Sequence, residues 1–274
     1  MAKIVLRDDD SPPEGDIDPS QWTVMVIAAG RGTRLGFDKP KILFPVGGIT
    51  ILARLIQLFS PFCSNFLFVL SPEGSPVVQP EIEALLGSRA RIAIQHSPLG
   101  MGDAVFSGLA QIRTPKVAIV WGDQVALKSS SLEFCMRLMD GREPPAAVCP
   151  TLIRQHPYIH FERDGDGTLV KVLQHREGDK LPGHGESDAG VFFFQTSALL
   201  DGLTMLMESG EAKGKATGEI NFLPVFPLID RAGWKLITAR IMSEVESVGI
   251  NSAADAEYLQ GRLDITETEA ESPV

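Results

Sequence analysis

The chain has 274 residues, of which 44% are hydrophobic, and it carries a formal net charge of −10. A chain of this length and composition can bury one sizeable core, and its recurrent Leu, Ile and Val runs exclude intrinsic disorder of the whole chain. The acidic balance argues against general binding to nucleic acid or to anionic membranes.

Several features favour a cytoplasmic protein. No apolar stretch reaches the roughly 18 residues of a membrane span. The acidic, proline-containing start is unlike a secretory signal peptide. Three cysteines lie in apolar surroundings without C-x-x-C spacing, which indicates buried thiols in a reducing compartment.

The first half of the chain predicts alternating strands and helices after a flexible lead of about 20 residues. The predicted strands are residues 22–28, 66–70, 91–95 and 117–121, and the predicted helices are residues 49–59, 81–86, 102–112 and 132–139. Such alternation is typical of a parallel sheet with helices on its faces.

The second half predicts hairpins and then helices again. Strands are expected at residues 146–152, 158–162, 168–174, 191–195 and 235–241, and helices at residues 196–207, 221–230 and 253–263. An Asp-Gly-Asp-Gly turn at residues 164–167 makes one hairpin. We therefore expect a single α/β domain over residues 21–263, built on one mixed, mostly parallel central sheet. Residues 1–20 would be the flexible lead and residues 264–274 an acidic tail.

The loop after the first predicted strand carries the strongest functional signal. Gly30 and Gly32 let backbone N–H groups approach a phosphate closely. Four cations follow within the same loop: Arg31, Arg34, Lys39 and Lys41. Because loops at the carboxyl edge of a parallel sheet bind nucleotides in α/β proteins, this loop predicts a phosphate site. It lacks the Gly-Lys-Ser/Thr of a Walker A loop, and it does not fit the Rossmann fingerprint.

Two further motifs follow later strands. Gln95 precedes a Leu-Gly-Met-Gly-Asp-Ala string at residues 99–104, where an amide and flat glycines could contact a base edge; a surface turn is the structural alternative. Asp123 follows the strand that ends in Trp121 and Gly122. A carboxylate at that position is a candidate Mg²⁺ ligand, although a capping role is also possible.

The string A-A-G-x-G-T-R-L-G followed by Pro40-Lys41 resembles the signature of nucleotidyltransferases that make nucleotide sugars from a nucleoside triphosphate and a sugar 1-phosphate. The likeness is greatest to the uridylyltransferase half of the bacterial N-acetylglucosamine-1-phosphate enzyme, and UDP-sugar pyrophosphorylases are also similar. The resemblance implies the Rossmann-like nucleotide-diphospho-sugar transferase fold. It also implies that Arg34 and Lys41 are catalytic and neutralise the triphosphate. By the same resemblance, the loop that would wrap the triphosphate comprises Ala28, Ala29, Gly30, Gly32 and Thr33.

The same resemblance assigns the base and metal sites. Gln95, Gly100 and Gly102 would recognise a pyrimidine base, and uracil is the expected one. Met101 departs from the pattern, because the family has threonine at this position. Asp123 and Asn251 would hold Mg²⁺; Asn251 could equally cap the helix that begins near residue 253.

The resemblance is weaker at the acceptor pocket. The corresponding residues are Tyr158, Gln174, Asp188 and Glu219. Ile159 stands where the family has glycine, Gln174 where it has glutamate and Asp188 where it has asparagine, so the acceptor is expected to differ. The chain also lacks the hexapeptide repeats of the acetyltransferase half of the bifunctional enzyme.

These patterns predict an enzyme that transfers UMP from UTP to a sugar 1-phosphate, with Mg²⁺ as cofactor and pyrophosphate as product. The alternatives are a transferase of the same fold with another base or acceptor, such as cytidylyl transfer to a phosphorylated alcohol, and a catalytically silent regulatory protein. The expected partners are a nucleoside triphosphate and a phosphorylated acceptor, without nucleic acid or membrane. The sequence does not predict an oligomeric state.

Overall fold

Strands and helices alternate along the first half of the chain, and hairpins dominate the middle. The computed structural model describes residues 3–6, 15–30, 32–241 and 243–270. The strands are β1 Lys3–Leu6, β2 Trp22–Ile27, β3 Pro45–Val46, β4 Ile49–Thr50, β5 Asn65–Leu70, β6 Ala90–Ile94, β7 Lys116–Trp121, β8 Ala147–Gln155, β9 Ile159–Arg163, β10 Leu169–Gln174, β11 His184–Asp188, β12 Val191–Gln195 and β13 Leu236–Arg240. The α-helices are α1 Ile51–Phe59, α2 Ser75–Leu86, α3 Met101–Leu109, α4 Ser129–Met139, α5 Thr196–Ser209, α6 Val225–Arg231 and α7 Ala253–Ala270.

The described strands form one large mixed sheet and two small ones. The large sheet has the order β1-β13-β8-β12-β7-β2-β5-β6. The ninth strand, β11, pairs with the second half of β8, residues 151–155. Strand β12 is antiparallel to both β7 and β8, and β11 is antiparallel to β8, whereas the other neighbours run parallel. The predicted mixed, mostly parallel sheet is therefore confirmed.

The central strands are apolar because helices cover both faces of the sheet. Val24, Met25 and Val26 of β2 are fully buried, as are the inner residues of β7. Helices α1 and α4 pack on one face, and helices α3, α5 and α6 pack on the other. Continuous apolar runs of this kind are typical of strands buried on both faces.

The hairpin β9–β10 corrects the expectation of a single sheet. It forms a separate two-stranded sheet. A largely buried ion pair fastens it to the large sheet: Arg163 Nε donates to Glu186 Oε2 over 2.7 Å, and Arg163 Nη2 donates to Thr238 Oγ1 over 2.8 Å. Strand β11 was not predicted, because its sequence His-Gly-Glu-Ser-Asp has no apolar alternation and is held by pairing with β8.

Several element boundaries differ from the sequence prediction. Helix α2 begins at Ser75 because Pro76 lies in its first turn, where a missing N–H is tolerated. Strand β1, inside the predicted flexible lead, pairs with β13, and α7 continues to Ala270, inside the predicted tail. Residues 1–2, 7–14 and 271–274 of these segments lie outside the described residues. The domain limits at residues 21 and 263 stay predictions.

The burial of the cysteines and the character of the helices are relevant to the predicted cytoplasmic location. Cys63, Cys135 and Cys149 are buried free thiols, as expected. Burial raises the pKa of Cys63 and of Cys149, which makes both unreactive. Among the described helices, none combines the length and apolar character needed to cross a bilayer. The cytoplasmic location itself stays a prediction.

Candidate active site

A cavity of about 270 Å³ opens where β2, β6 and β7 reach their carboxyl ends. Half of the predicted site residues line it: Ala28, Ala29, Gly30, Lys41, Gln95, Gly100, Asp123 and Glu219. Its other lining residues are Ile27, Ile42, Pro98, Met101, Ala104, Trp121 and Gly122. A cavity with both polar and apolar walls therefore lies at the carboxyl edge of the sheet, where the phosphate site was predicted.

Backbone hydrogen bonds hold the glycine loop against the neighbouring strand ends. Ala28 N donates to Val69 O over 2.9 Å, and Gly122 N donates to Ile27 O over 2.8 Å. A Cβ at position 122 would lie 2.6 Å from Ile27 O, so only glycine fits there without a backbone shift. These bonds place the end of β7 directly beside the start of the loop.

Lys41 joins two polar residues that are far apart in sequence. Its Nζ donates to Asp123 Oδ2 over 2.7 Å and to Asn251 Oδ1 over 2.9 Å. The backbone of Ile250 donates to Asp123 O over 3.0 Å, which holds the segment of Asn251 beside the end of β7. Asp255 Oδ2 accepts from Asn251 N over 2.9 Å, so the asparagine is anchored at the start of α7.

The oxygen atoms around Lys41 fit a divalent cation. A carboxylate and an amide oxygen converge on one positive charge, and hard cations such as Mg²⁺ take oxygen ligands. Among the described residues, no group of three or more His, Cys, Asp and Glu side chains could hold a metal. A cation here would therefore need further oxygens, and phosphate groups commonly complete Mg²⁺ sites that have one or two protein carboxylates.

Gln95 has its amide orientation fixed by two acceptors. Its Nε2 donates to Gly100 O and to Asp103 Oδ2, each over 2.9 Å. Both partners are acceptors, so the nitrogen must face them. Both N–H groups of the buried amide are therefore in use, and Oε1 is the atom that remains to accept a hydrogen bond.

The glycines after Gln95 are packed under a second segment. Gly102 N donates to Ile220 O over 2.8 Å, and Ile220 N donates to Leu99 O over 2.6 Å. A Cβ would lie 2.7 Å from Ile220 O at position 100 and 2.7 Å from Ile220 Cγ2 at position 102. Close backbone crossing, in addition to any contact with a base, thus requires these glycines.

The predicted acceptor residues do not gather around the cavity. Glu219 lines it and pairs with Arg176 over 2.7 Å. Tyr158 is 51% exposed, whereas Gln174 is buried at the end of β10. Asp188 Oδ2 accepts from Gly190 N over 3.0 Å, and burial raises the pKa of Asp188 to about 6.

Arg34 also lies away from the cavity wall. Its side chain is exposed in the short 3-10 turn Thr33–Leu35, and it pairs with no described residue. The side chain of Thr33 and all of Arg31 lie outside the described residues. The structure therefore brings Lys41, but not Arg34, into contact with the other predicted site residues.

Trp121 is a lining residue that the sequence analysis did not single out. Its ring lies 5.1 Å from that of Phe192 and 5.8 Å from that of Phe222. It therefore forms a rigid apolar wall beside Asp123. Its place directly before Gly122-Asp123 at the end of a strand was the signal available in the sequence.

Comparison with known proteins places this geometry among nucleotide-transferring domains. The sequence model described as "MobA-like NTP transferase domain" matches residues 24–185. The bifunctional protein GlmU of Carboxydothermus hydrogenoformans is 27% identical over 231 residues, which cover 83% of this chain and 49% of GlmU. GlmU of Pelotomaculum thermopropionicum is 27% identical over 257 residues, covering 87% and 52%. The chain spans about half the length of the curated relatives it matches.

Solved structures show the same fold. The inositol-1-phosphate CTP transferase of T. maritima superposes with a TM-score of 0.64 at 16% identity, covering 91% of this chain and 98% of that one. The 4-diphosphocytidyl-2C-methyl-D-erythritol synthase of Anaerococcus prevotii gives 0.63 at 14% identity, covering 90% and 100%. The predicted Rossmann-like fold is confirmed.

The two loop glycines should differ in their effect on stability. Gly32 has φ +69° and a Cβ there would lie 3.0 Å from Lys41 Cβ, whereas a Cβ at Gly30 would have no heavy atom within 4 Å. Gly32→Ala should therefore lower the free energy of unfolding by about 1–2 kcal/mol. Gly30→Ala, as the matched control, should change it by less than about 0.5 kcal/mol or stabilise slightly. Urea unfolding measures both, and equal effects of the two variants would contradict the assigned loop conformation.

Proposed function

We propose that this chain, which belongs to the family of MobA-like NTP transferase domains, transfers a nucleoside monophosphate to a phosphorylated acceptor and releases pyrophosphate. The chain thus has a nucleotidyltransferase domain. The more specific form of the proposal is transfer of UMP from UTP to a sugar 1-phosphate. The observation that carries it is the meeting of Lys41, Asp123 and Asn251 beside a glycine loop and Gln95 in one cavity.

The reaction is an in-line displacement at the α-phosphorus. An oxygen of the acceptor phosphate forms the new P–O bond, while the bond from the α-phosphorus to the bridging oxygen breaks and pyrophosphate leaves with the electron pair. Negative charge spreads over phosphate oxygens in the transition state, so fixed positive charge and N–H dipoles supply most of the catalysis. The backbone of residues 28–30 and the Lys41 ammonium are the groups that supply them here.

Asp123 and Asn251 are proposed to hold Mg²⁺. Bound there, the ion supplies positive charge to phosphate oxygens. Both oxygens now contact the Lys41 ammonium, over 2.7 and 2.9 Å. With a metal ion on these two oxygens, Lys41 would be free to pair with the phosphates while staying in the same loop. Arg34 is proposed as a second, more distant cation for the triphosphate.

Gln95 is proposed to select the base. Its Nε2 is held by Gly100 O and Asp103 Oδ2, so the base meets an acceptor, Oε1. The ring N3–H of uracil is a suitable donor, which supports UTP. The exocyclic amine of cytosine also donates, so the test below includes CTP.

The acceptor is proposed to differ from N-acetylglucosamine 1-phosphate. Gln174 and Asp188 stand in place of a family glutamate and asparagine, and the first is buried. A pocket built to bond particular hydroxyls discriminates strongly against other ligands, because its buried polar groups would stay unpaired. Tyr158 and Glu219 are proposed to complete this acceptor side.

Pyrophosphate release measured with Mg²⁺, four nucleoside triphosphates, and a panel of phosphorylated sugars and phosphorylated alcohols tests the function. We expect UTP to be the best donor, with an acceptor other than N-acetylglucosamine 1-phosphate. A preference for CTP would overturn the base assignment, and N-acetylglucosamine 1-phosphate as best acceptor would overturn the acceptor assignment. Failure of every donor and acceptor pair to release pyrophosphate would overturn the transferase proposal.

Lys41→Ala should lower kcat by about 10²- to 10³-fold, since loss of one group that stabilises charge in a shielded site typically costs about 3–4 kcal/mol. Arg34→Ala should have a smaller effect, because Arg34 is exposed and outside the cavity wall. Lys235→Ala is the matched control: this exposed lysine precedes β13, at the opposite edge of the sheet. Turnover of Lys41→Ala equal to that of the control would refute the role of Lys41.

Asp123→Asn should weaken the response to the metal ion. Removing the charge leaves an oxygen ligand but lowers its attraction for a divalent cation, so the Mg²⁺ concentration for half-maximal activity should rise by at least roughly tenfold. Mn²⁺ binding followed by electron paramagnetic resonance gives a readout independent of turnover. Asp201→Asn, on the exposed side of α5, is the control. Full activity of the unaltered enzyme in excess chelator would exclude the metal.

A further inference from the structure

One segment covers residues 95–102, which are called the base loop below, and forms part of the cavity wall. Residues 212–221, called the wall segment below, carry Glu219 into the cavity lining. Ile220 N donates to Leu99 O over 2.6 Å and Ile220 O accepts from Gly102 N over 2.8 Å, so the segment pairs with the loop that holds Gly100. The position of the wall segment therefore determines how much space the cavity leaves next to the proposed base site.

The tip of the wall segment has little apolar packing of its own. Residues 215–218 are exposed, whereas Ala212 and Asn221 at its two ends are buried. Apolar burial thus anchors the ends of the segment but not the tip between them. Some other interaction must hold residues 214–219 in one conformation.

Most of the hydrogen bonds that reach the tip from outside the segment go to one buried carboxylate, Glu177. It accepts four hydrogen bonds from the wall segment: from Ala216 N over 3.0 Å, Thr217 N over 3.2 Å, Thr217 Oγ1 over 2.6 Å and Asn221 Nδ2 over 3.2 Å. Burial alone would raise the pKa of Glu177, but these bonds outweigh it and lower the pKa to about 2. The charged form is therefore the one that holds the segment.

The approach of Glu177 requires a glycine in the wall segment. A Cβ at position 214 would lie 2.4 Å from both Oε1 and Oε2 of Glu177. Gly214 N donates to Glu219 O over 2.8 Å, which closes the segment on itself above the carboxylate. The contact is thus built from both sides, by the carboxylate and by a position that has no side chain.

Glu177 extends from the end of the hairpin β9–β10, which carries Gln174 and follows Tyr158, two of the predicted acceptor residues. It lies in the 3-10 turn His175–Glu177, directly after Gln174, and the ring of His175 lies 5.6 Å from that of Tyr158. The adjacent Arg176 pairs with Glu219 of the wall segment over 2.7 Å. Two consecutive side chains of the acceptor-side hairpin therefore hold the segment that covers the base loop.

We propose that Glu177 is a positioning residue that fixes the wall segment, and with it Glu219 and the cover of the base loop, to the acceptor-side hairpin. This inference rests on the proposed nucleotidyl transfer. Glu177 does not line the cavity; it acts through the segment it holds. Its loss should therefore leave the folded core intact while loosening the cavity that both substrates share.

The test compares Glu177→Gln with Glu211→Gln, measuring kcat and KM for both substrates together with hydrogen exchange of the wall segment. Glutamine keeps the shape of the side chain but loses its charge and half of its acceptor capacity. Glu211 makes only an exposed ion pair with Arg231, so its variant removes one charge beside the same segment without touching the contact. We expect exchange at residues 214–220 to quicken more than exchange of the core strands in Glu177→Gln alone, with kcat/KM roughly 10- to 100-fold lower. The urea midpoint should fall modestly, because the lost hydrogen bonds also stabilise the folded state.

Thr217→Val provides a second variant that poses little risk to folding. It removes the 2.6 Å donor from the exposed side of the contact and should change exchange and kcat/KM in the same direction, less strongly. In the double variant with Glu177→Gln, the two effects should be less than additive. If Glu177→Gln does not fold, Thr217→Val decides the outcome alone.

Unchanged exchange and kcat/KM in the folded variants would overturn the proposal. Exchange that quickens equally in the wall segment and in the core strands would also overturn it, because Glu177 would then support the whole fold instead of this segment. Failure of the proposed function is seen separately: the unaltered protein would release no pyrophosphate with any triphosphate, while hydrogen exchange would still report whether Glu177 holds the wall segment.

Discussion

The contact of the Lys41 ammonium with Asp123 and Asn251 is the interaction on which the site depends. It joins the glycine loop, the end of β7 and the start of α7, over 2.7 and 2.9 Å. The described residues of the cavity wall include one cation, Lys41, against the two carboxylates Asp123 and Glu219. Such a wall cannot neutralise a triphosphate by itself, so the charge balance calls for an additional cation. A divalent ion on the same two oxygens would reverse the local charge and release the lysine for the phosphates.

The sheet makes this contact possible by placing distant segments at one edge. Strands β2 and β7 run parallel, and Gly122 N donates to Ile27 O over 2.8 Å, so the glycine loop and Asp123 leave the sheet side by side. Ile250 N then donates to Asp123 O over 3.0 Å, which brings Asn251 to the same point. Backbone hydrogen bonds thus set the position of each polar side chain, and the core beneath them is apolar on both faces. A site of this kind needs no strained side chain to bring its charges together.

Sequence patterns predicted the parts of the protein that local signals determine. The apolar run of β2 directly precedes its glycines, and the apolar run of β7 directly precedes Gly122 and its carboxylate neighbour. The structure has both strands at these positions, and both strand ends reach the cavity. Strand β11 was missed because its polar residues are held in a strand by β8 and by the Arg163–Glu186 ion pair, neither of which is a local property. Glu177 was missed for the same reason, since its four donors lie about 40 residues away. Arg34 shows a second limit of prediction from sequence. The motif identifies a positively charged residue, but it does not determine that the Arg34 side chain is exposed.

The division between parallel and antiparallel strands also separates the two proposed substrates. The residues assigned to the triphosphate follow parallel strands or lie in the loop after β2, whose register is fixed by buried apolar neighbours. Of the residues assigned to the acceptor, Tyr158 directly precedes β9, Gln174 ends β10, Asp188 ends β11 and Glu219 lies in the wall segment. The hairpin β9–β10 attaches through the Arg163–Glu186 ion pair and through Phe161, Leu169 and Val172, which are buried in the apolar core. Gln174 ends β10 and does not line the cavity, so a substitution there can alter acceptor recognition while the contact of Lys41 with Asp123 and Asn251 stays in place. The wall segment touches both sides, because Ile220 meets the base loop and Glu219 meets Arg176 of the hairpin turn.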